Sequence, residues 1–129
     1  MRKILFLLFS LSLVYVFAKG GDDKEKTPLT YSAAYNGVSY TVSVGDTIHL
    51  GYGSNPYGSF MFIHNGAPPQ AMEKQYATKS GTVTKVKYFK SIDQWQLFIK
   101  GKFGMYIVEV PQAIDKEEVT GFNSVYFKP

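Results

Sequence analysis

Val38-Ser39-Tyr40-Thr41-Val42-Ser43-Val44 alternates without a break: Val38, Tyr40, Val42 and Val44 fall on one side, and Ser39, Thr41 and Ser43 on the other. A period of two built from β-branched and aromatic residues is the pattern of a strand with one buried face. Asn36-Gly37 directly before it is a tight-turn signal, which makes Thr30 to Tyr35 the preceding hairpin arm. Gly45-Asp46 is a second turn, with the Asp46 carboxylate expected on turn amides. Thr47 to Tyr52 then alternates again, placing Ile48, Leu50 and Tyr52 inward and Thr47, His49 and Gly51 outward.

The same grammar continues along the chain. Ser59 to Asn65 is a short apolar strand. Thr82 to Ile92 is a longer one, with Thr84, Val86 and Tyr88 opposed to Lys85 and Lys87. In Gln94 to Lys100, Trp95, Leu97 and Ile99 share a face, and Phe98 breaks the alternation. Met105 to Val110 is apolar on both faces except at Glu109, and Pro111 ends it because proline cannot donate to a ladder. Phe122 to Phe127 is the last strand. Gln70 to Thr78 and Ala113 to Val119 are the two stretches short of strand character, each long enough for one helical turn; the second carries Asp115, Glu117 and Glu118. Turn signals recur roughly every 8–12 residues and no 3.6-residue period is sustained, so the chain is expected to be all-β. The expected architecture is a small antiparallel barrel or barrel-like sandwich of about seven short strands.

The amino terminus reads as an address. Met1-Arg2-Lys3 is basic, Ile4 to Ala18 is uncharged and apolar, and Val16-Phe17-Ala18 suits a cleavage site. This is the pattern of a secretory signal peptide over residues 1–18. The apolar run is short for an uncleaved span, which needs about 20 residues, so no stable membrane span is expected after cleavage. Residues 19–28 are charged and glycine-rich and read as a flexible linker, leaving 29–129 as a single all-β domain. The expected location is outside the cytoplasm, periplasmic or extracellular. Export of a domain without cysteine points to a bacterial envelope, because small secreted eukaryotic domains lean on disulfides.

Composition removes several functions. No cysteine means no disulfide framework, zinc–thiolate site or thiol nucleophile. Loss of Arg2 and Lys3 with the leader leaves 12 basic against 10 acidic residues, a net charge of +2. That is too small to argue for nucleic acid, and no nucleic-acid partner is expected. His49 and His64 are the only histidines. A metal centre needs three or four ligands, with Asp46 the nearby carboxylate, so no metal site and no cofactor are expected. No Gly-x-Ser-x-Gly is present. Asp93 and Glu109 read as a turn residue and a solvent-facing or lysine-paired strand residue. The expectation is a non-catalytic module; the rival is a small secreted hydrolase or metal-dependent enzyme built on the two histidines.

Two surfaces remain as binding candidates. The chain after residue 18 holds nine tyrosines, seven phenylalanines and one tryptophan, more phenols than a small core can bury with partners for their hydroxyls. Gly51-Tyr-Gly-Ser-Asn-Pro-Tyr-Gly58 is an irregular loop, and Tyr52, Asn55 and Tyr57 on it suit a sugar face or a protein hot spot. Tyr52 is expected partly buried and Tyr57 exposed, unless the loop plugs the barrel end. Lys79, Lys85, Lys87, Lys90, Lys100 and Lys102 cluster on two adjacent strands, with Lys85, Lys87 and Lys100 facing solvent. They suit an anionic glycan, a lipid headgroup or an acidic protein. The expected partner is therefore a glycan or other envelope component, or another exported protein.

Overall fold

A computed structural model describes residues 28–33 and 37–127. The expected signal peptide, all of the linker but Pro28, and part of the Asn36-Gly37 turn lie outside them. The described chain is all-β, with ten strands in two antiparallel sheets. These are β1 (Leu29–Ser32), β2 (Ser39–Val42), β3 (Thr47–Leu50), β4 (Ile63–Asn65), β5 (Gln70–Ala71), β6 (Ser80–Phe89), β7 (Gln94–Gly101), β8 (Gly104–Val110), β9 (Val119–Phe122) and β10 (Val125–Tyr126). One α-helical turn, α1 (Gln112–Asp115), follows β8. The count exceeds the expected seven because the expected hairpin arm pairs as β1, the two-residue β5 also pairs, and the last strand begins at Val119, inside the expected helical turn, and is split by a turn at Asn123.

The large sheet has the order β10-β9-β3-β6-β7-β8-β4-β5 and is not closed, so the architecture is a barrel-like sandwich rather than a barrel. The long β6–β7 and β7–β8 hairpins form its centre. Their inner face carries Val83, Val86, Leu97, Ile99, Val108 and Val110, all essentially inaccessible to water. The β1–β2 hairpin adds Val42 to the same core and is held by aromatics. Tyr40 stacks on Phe122 at 5.2 Å, and Tyr31 meets Phe127 edge-on at 5.6 Å. Such ring pairs contribute beyond their buried area.

Strand β6 departs from the expected single alternation. A bulge between Val83 and Lys85 shifts its register against β7. Val83 and Val86 are therefore both buried, while Thr84 is exposed instead of sharing a face with Val86. The Thr84 hydroxyl donates to the Phe98 carbonyl at 3.0 Å and occupies the bulge. Lys85 and Lys87 face outward as expected. Phe98 does not break the alternation of β7: it sits on the outer face opposite Lys85, whose ammonium lies 5.6 Å from the ring centre. Val44 is a second correction. It belongs to the turn after β2 rather than to the strand, and it is 57% exposed.

Polar groups pin the corners. Asp46 accepts from the Ser43 amide at 2.8 Å, the expected turn role. Asn123, left-handed at φ 52°, donates to Asp46 Oδ1 at 3.0 Å and to the Tyr40 hydroxyl oxygen, and accepts from the Thr47 amide at 2.9 Å. Burial first, and Asp46 second, push the Tyr40 hydroxyl up to about 12. The fold thus favours neutral Tyr40. Its contribution is complete below the ordinary tyrosine value near 10 and is lost as pH rises through 12. Alkaline melts should show this loss between those values, and Tyr40→Phe should remove that part of the pH dependence.

Tyr106 is buried, and its hydroxyl has no partner among the described residues. An unsatisfied buried hydroxyl costs more than it returns. Tyr106→Phe should therefore leave stability unchanged or raise it by up to about 1 kcal/mol, measured by urea unfolding.

Candidate functional site

The irregular segment 51–62 is built around one residue that the sequence did not single out. After α1 the chain turns sharply: the Glu118 amide donates to the Ala113 carbonyl at 2.8 Å, and the Glu117 amide to Ile114 at 3.0 Å. Glu117 is left-handed at φ 63°. This six-to-one bond pattern is a Schellman stop, and it swings Glu118 into the interior. Glu118 is completely buried. Its Oε2 accepts from the Ser54 amide at 2.8 Å, the Ser54 hydroxyl at 2.6 Å and the Met61 amide at 2.7 Å. Its Oε1 accepts from the Phe62 amide at 2.9 Å. One carboxylate thus joins both arms of the loop to the start of β9. Charge-assisted bonds of this kind are roughly twice as strong as neutral ones.

Above that clamp the chain forms a three-residue turn. Gly58 donates to the Asn55 carbonyl at 2.9 Å, and Asn55 to the Ser59 carbonyl at 3.1 Å. Pro56 and Tyr57 occupy the apex, and Gly58 takes the left-handed position at φ 91°. The Asn55 side chain donates to the Ser59 hydroxyl at 3.1 Å, so Asn55 braces the loop. The two arms touch at Gly53: a Cβ there would sit 2.2 Å from the carbonyl oxygens of Gly58 and Ser59. Tyr52 and Tyr57, each next to one side of this contact, therefore leave the loop at adjacent points.

Tyr57 is 91% exposed, as expected, and Tyr52 is 73% exposed, which is not. Strand β3 stops at Leu50. Gly51 then turns to pair with Glu118 through its amide at 2.9 Å, so the inward parity of Ile48 and Leu50 ends one residue before Tyr52. Neither loop tyrosine plugs the core. Tyr52 instead walls a cleft of about 420 Å³ whose polar lining includes Thr78, Thr120, Lys116 and Glu117.

The lysines separate into two groups. Lys100 lines a cleft of about 490 Å³ with Thr47, Ser80, Thr82 and Lys102. Lys85 and Lys87 lie farther along the outer face, with the Lys87 ammonium 5.0 Å from the Phe89 ring centre, and line neither cleft. Lys79 and Lys102, which precede β6 and β8, share a cleft with Thr78 and Ser80.

The histidines occupy separate parts of the sheet, with β6, β7 and β8 between their strands. His49 Nε2 donates to the Asn123 carbonyl at 2.7 Å, and its ring stacks on Tyr126. His64 Nδ1 lies 3.8 Å from Glu109 Oε2, so Glu109 faces a histidine rather than a lysine. Asp93 has the expected turn role: it is left-handed at φ 50° and accepts from the Tyr88 hydroxyl at 2.6 Å. Among the described residues no group of three metal-ligating side chains is assembled, and no helix is long and apolar enough to cross a membrane. No protein-family model, curated protein or solved structure matches this chain.

Proposed function

We propose that the chain is an exported, non-catalytic binding module that recognises a glycan of the cell envelope through the 51–58 loop. The observation that carries this reading is the 91% exposure of Tyr57 at the tip of a loop fastened from beneath by the four hydrogen bonds to Glu118. An aromatic on a backbone braced in this way loses less conformational entropy on binding than one on an unbraced loop, which favours contact with an apolar sugar face. Tyr52 in the same loop, and the hydroxyl oxygens of Thr78 and Thr120 in the adjoining cleft, whose protons go to the Ala77 and His49 carbonyls, offer an apolar wall with polar acceptors, the mixture that orients small polar ligands. The leader read in residues 1–18 supplies the route to such a ligand.

Titration of the domain with a panel of neutral and acidic oligosaccharides tests this. Tyr57→Ala should weaken binding by about 1 kcal/mol or more, as for an aromatic anchor. Its melting stability should stay within about 0.5 kcal/mol of the parent. A loss of roughly 3 kcal/mol in stability would instead mean that Tyr57 fills a cavity, and would remove the basis of this reading.

A further inference from the structure

The cleft beside Tyr52 does not end at the loop. Thr78 lines it and also lines a second cleft of about 300 Å³ with Lys79, Ser80 and Lys102. Ser80 and Lys102 in turn line the 490 Å³ cleft that holds Lys100. Three depressions that share lining residues form one track. It runs from Tyr52 past Thr78 and Ser80 to Lys100, over the start of β6.

Charge changes along this track. At the tyrosine end Lys116 and Glu117 offset each other. The other two clefts are lined by Lys79, Lys100 and Lys102 and by no acidic residue. None of these three lysines is in an ion pair among the described residues. Residues 79–104 contain six lysines and one acidic residue, Asp93, which lies at the far tip of the hairpin. Pairing places Thr47, Thr82 and Lys100 in one cross-strand row on the outer face, so hydroxyls stand beside the ammonium groups. Ammonium and hydroxyl donors on a rigid sheet suit a carboxylate, sulfate or phosphate group.

The geometry points to an acidic glycan as the ligand: one sugar ring against Tyr52, and an anionic substituent farther along the chain held by Lys79, Lys100 and Lys102. This rests on the glycan reading of the loop and adds the ligand's charge and direction. A glycan is favoured over nucleic acid because the tyrosine end is charge-balanced, Lys116 against Glu117, and suits an uncharged ring better than a backbone charged at every residue.

The test measures binding of the chain to partly methyl-esterified oligogalacturonate, to sparsely sulfated dextran, to neutral dextran and to single-stranded DNA of matched charge. Preference for either acidic glycan over neutral dextran, weakening as salt rises, is the expected result. Between the two, the tighter binder identifies the anionic group as carboxylate or sulfate. Lys100→Gln/Lys102→Gln should reduce acidic-glycan affinity by about tenfold or more, while Lys87→Gln/Lys90→Gln, outside all three clefts, should leave it within about twofold. Tyr52→Ala should weaken acidic-glycan binding as well, because the ligand spans both ends. Equal binding of neutral and acidic glycans, unmoved by the lysine changes, would overturn this inference and leave the loop reading standing. DNA binding as tight as the best glycan would overturn it as general polyanion attraction. No binding to any of the four would overturn both.

Discussion

Glu118→Ala is expected to destabilise the domain by roughly 3–5 kcal/mol and to release the 51–62 segment. The substitution strips four donors, three of them backbone amides, of their common acceptor in a site closed to water. Each buried donor left unpaired costs about 1–3 kcal/mol, partly recovered if water enters the space. Glu118→Gln is the finer probe. It keeps the shape but replaces one acceptor oxygen with an amide nitrogen that faces an N–H donor, so it should fall between the parent and the alanine variant. Urea unfolding gives the stabilities, and hydrogen exchange at Ser54, Met61 and Phe62 reads the clamp itself. Unchanged exchange there in Glu118→Ala would show that the loop holds its shape without the carboxylate.

Val42→Asp carries the second large effect. Val42 is fully buried between the β1–β2 hairpin and the main sheet, in a core with no cation among its described residues. A cost of several kcal/mol follows, enough to unfold a domain of this size. Thr41→Asp, one residue earlier, points to solvent, where its hydroxyl lies 3.2 Å from that of Thr30. It should change stability by no more than about 0.5 kcal/mol. Comparable melting losses for the two would contradict the packing of the hairpin.

These two sites also mark what was legible in the chain. Val42 is readable because burial in a strand follows a period of two, and the alternation around it is unbroken. The same rule places Ile48, Leu50, Leu97 and Ile99 inside and Lys85 and Lys87 outside. It misleads where the ladder stops or slips. Val44 and Tyr52 continue the parity of their strands on paper, but each lies past the last paired residue and turns to solvent. At Thr84 a bulge resets the count, and the sequence has no glycine or proline there to announce it.

Glu118 was hidden for a different reason. Its partners lie 56 to 64 residues away, so its burial is decided by tertiary structure and not by its neighbours. In sequence it is one of three acids in a helical turn, and the other two, Asp115 and Glu117, are exposed. The proposed track was half visible. Tyr52, Tyr57 and Lys100 could be picked out by type and position. The junction of loop and lysines through Thr78 and Ser80 depends on β3 pairing with the start of β6, which no local pattern encodes.

Backbone amide shift mapping of the labelled domain, residues 29–129, during titration with an acidic oligosaccharide tests the central claim most directly. The account predicts a continuous band of shifted amides through residues 51–58, 78–82 and 100–103, with β1, β2 and the far tip of the β6–β7 hairpin unchanged. Shifts confined to Lys85, Lys87 and the hairpin tip, or no shifts at saturating ligand, would contradict it.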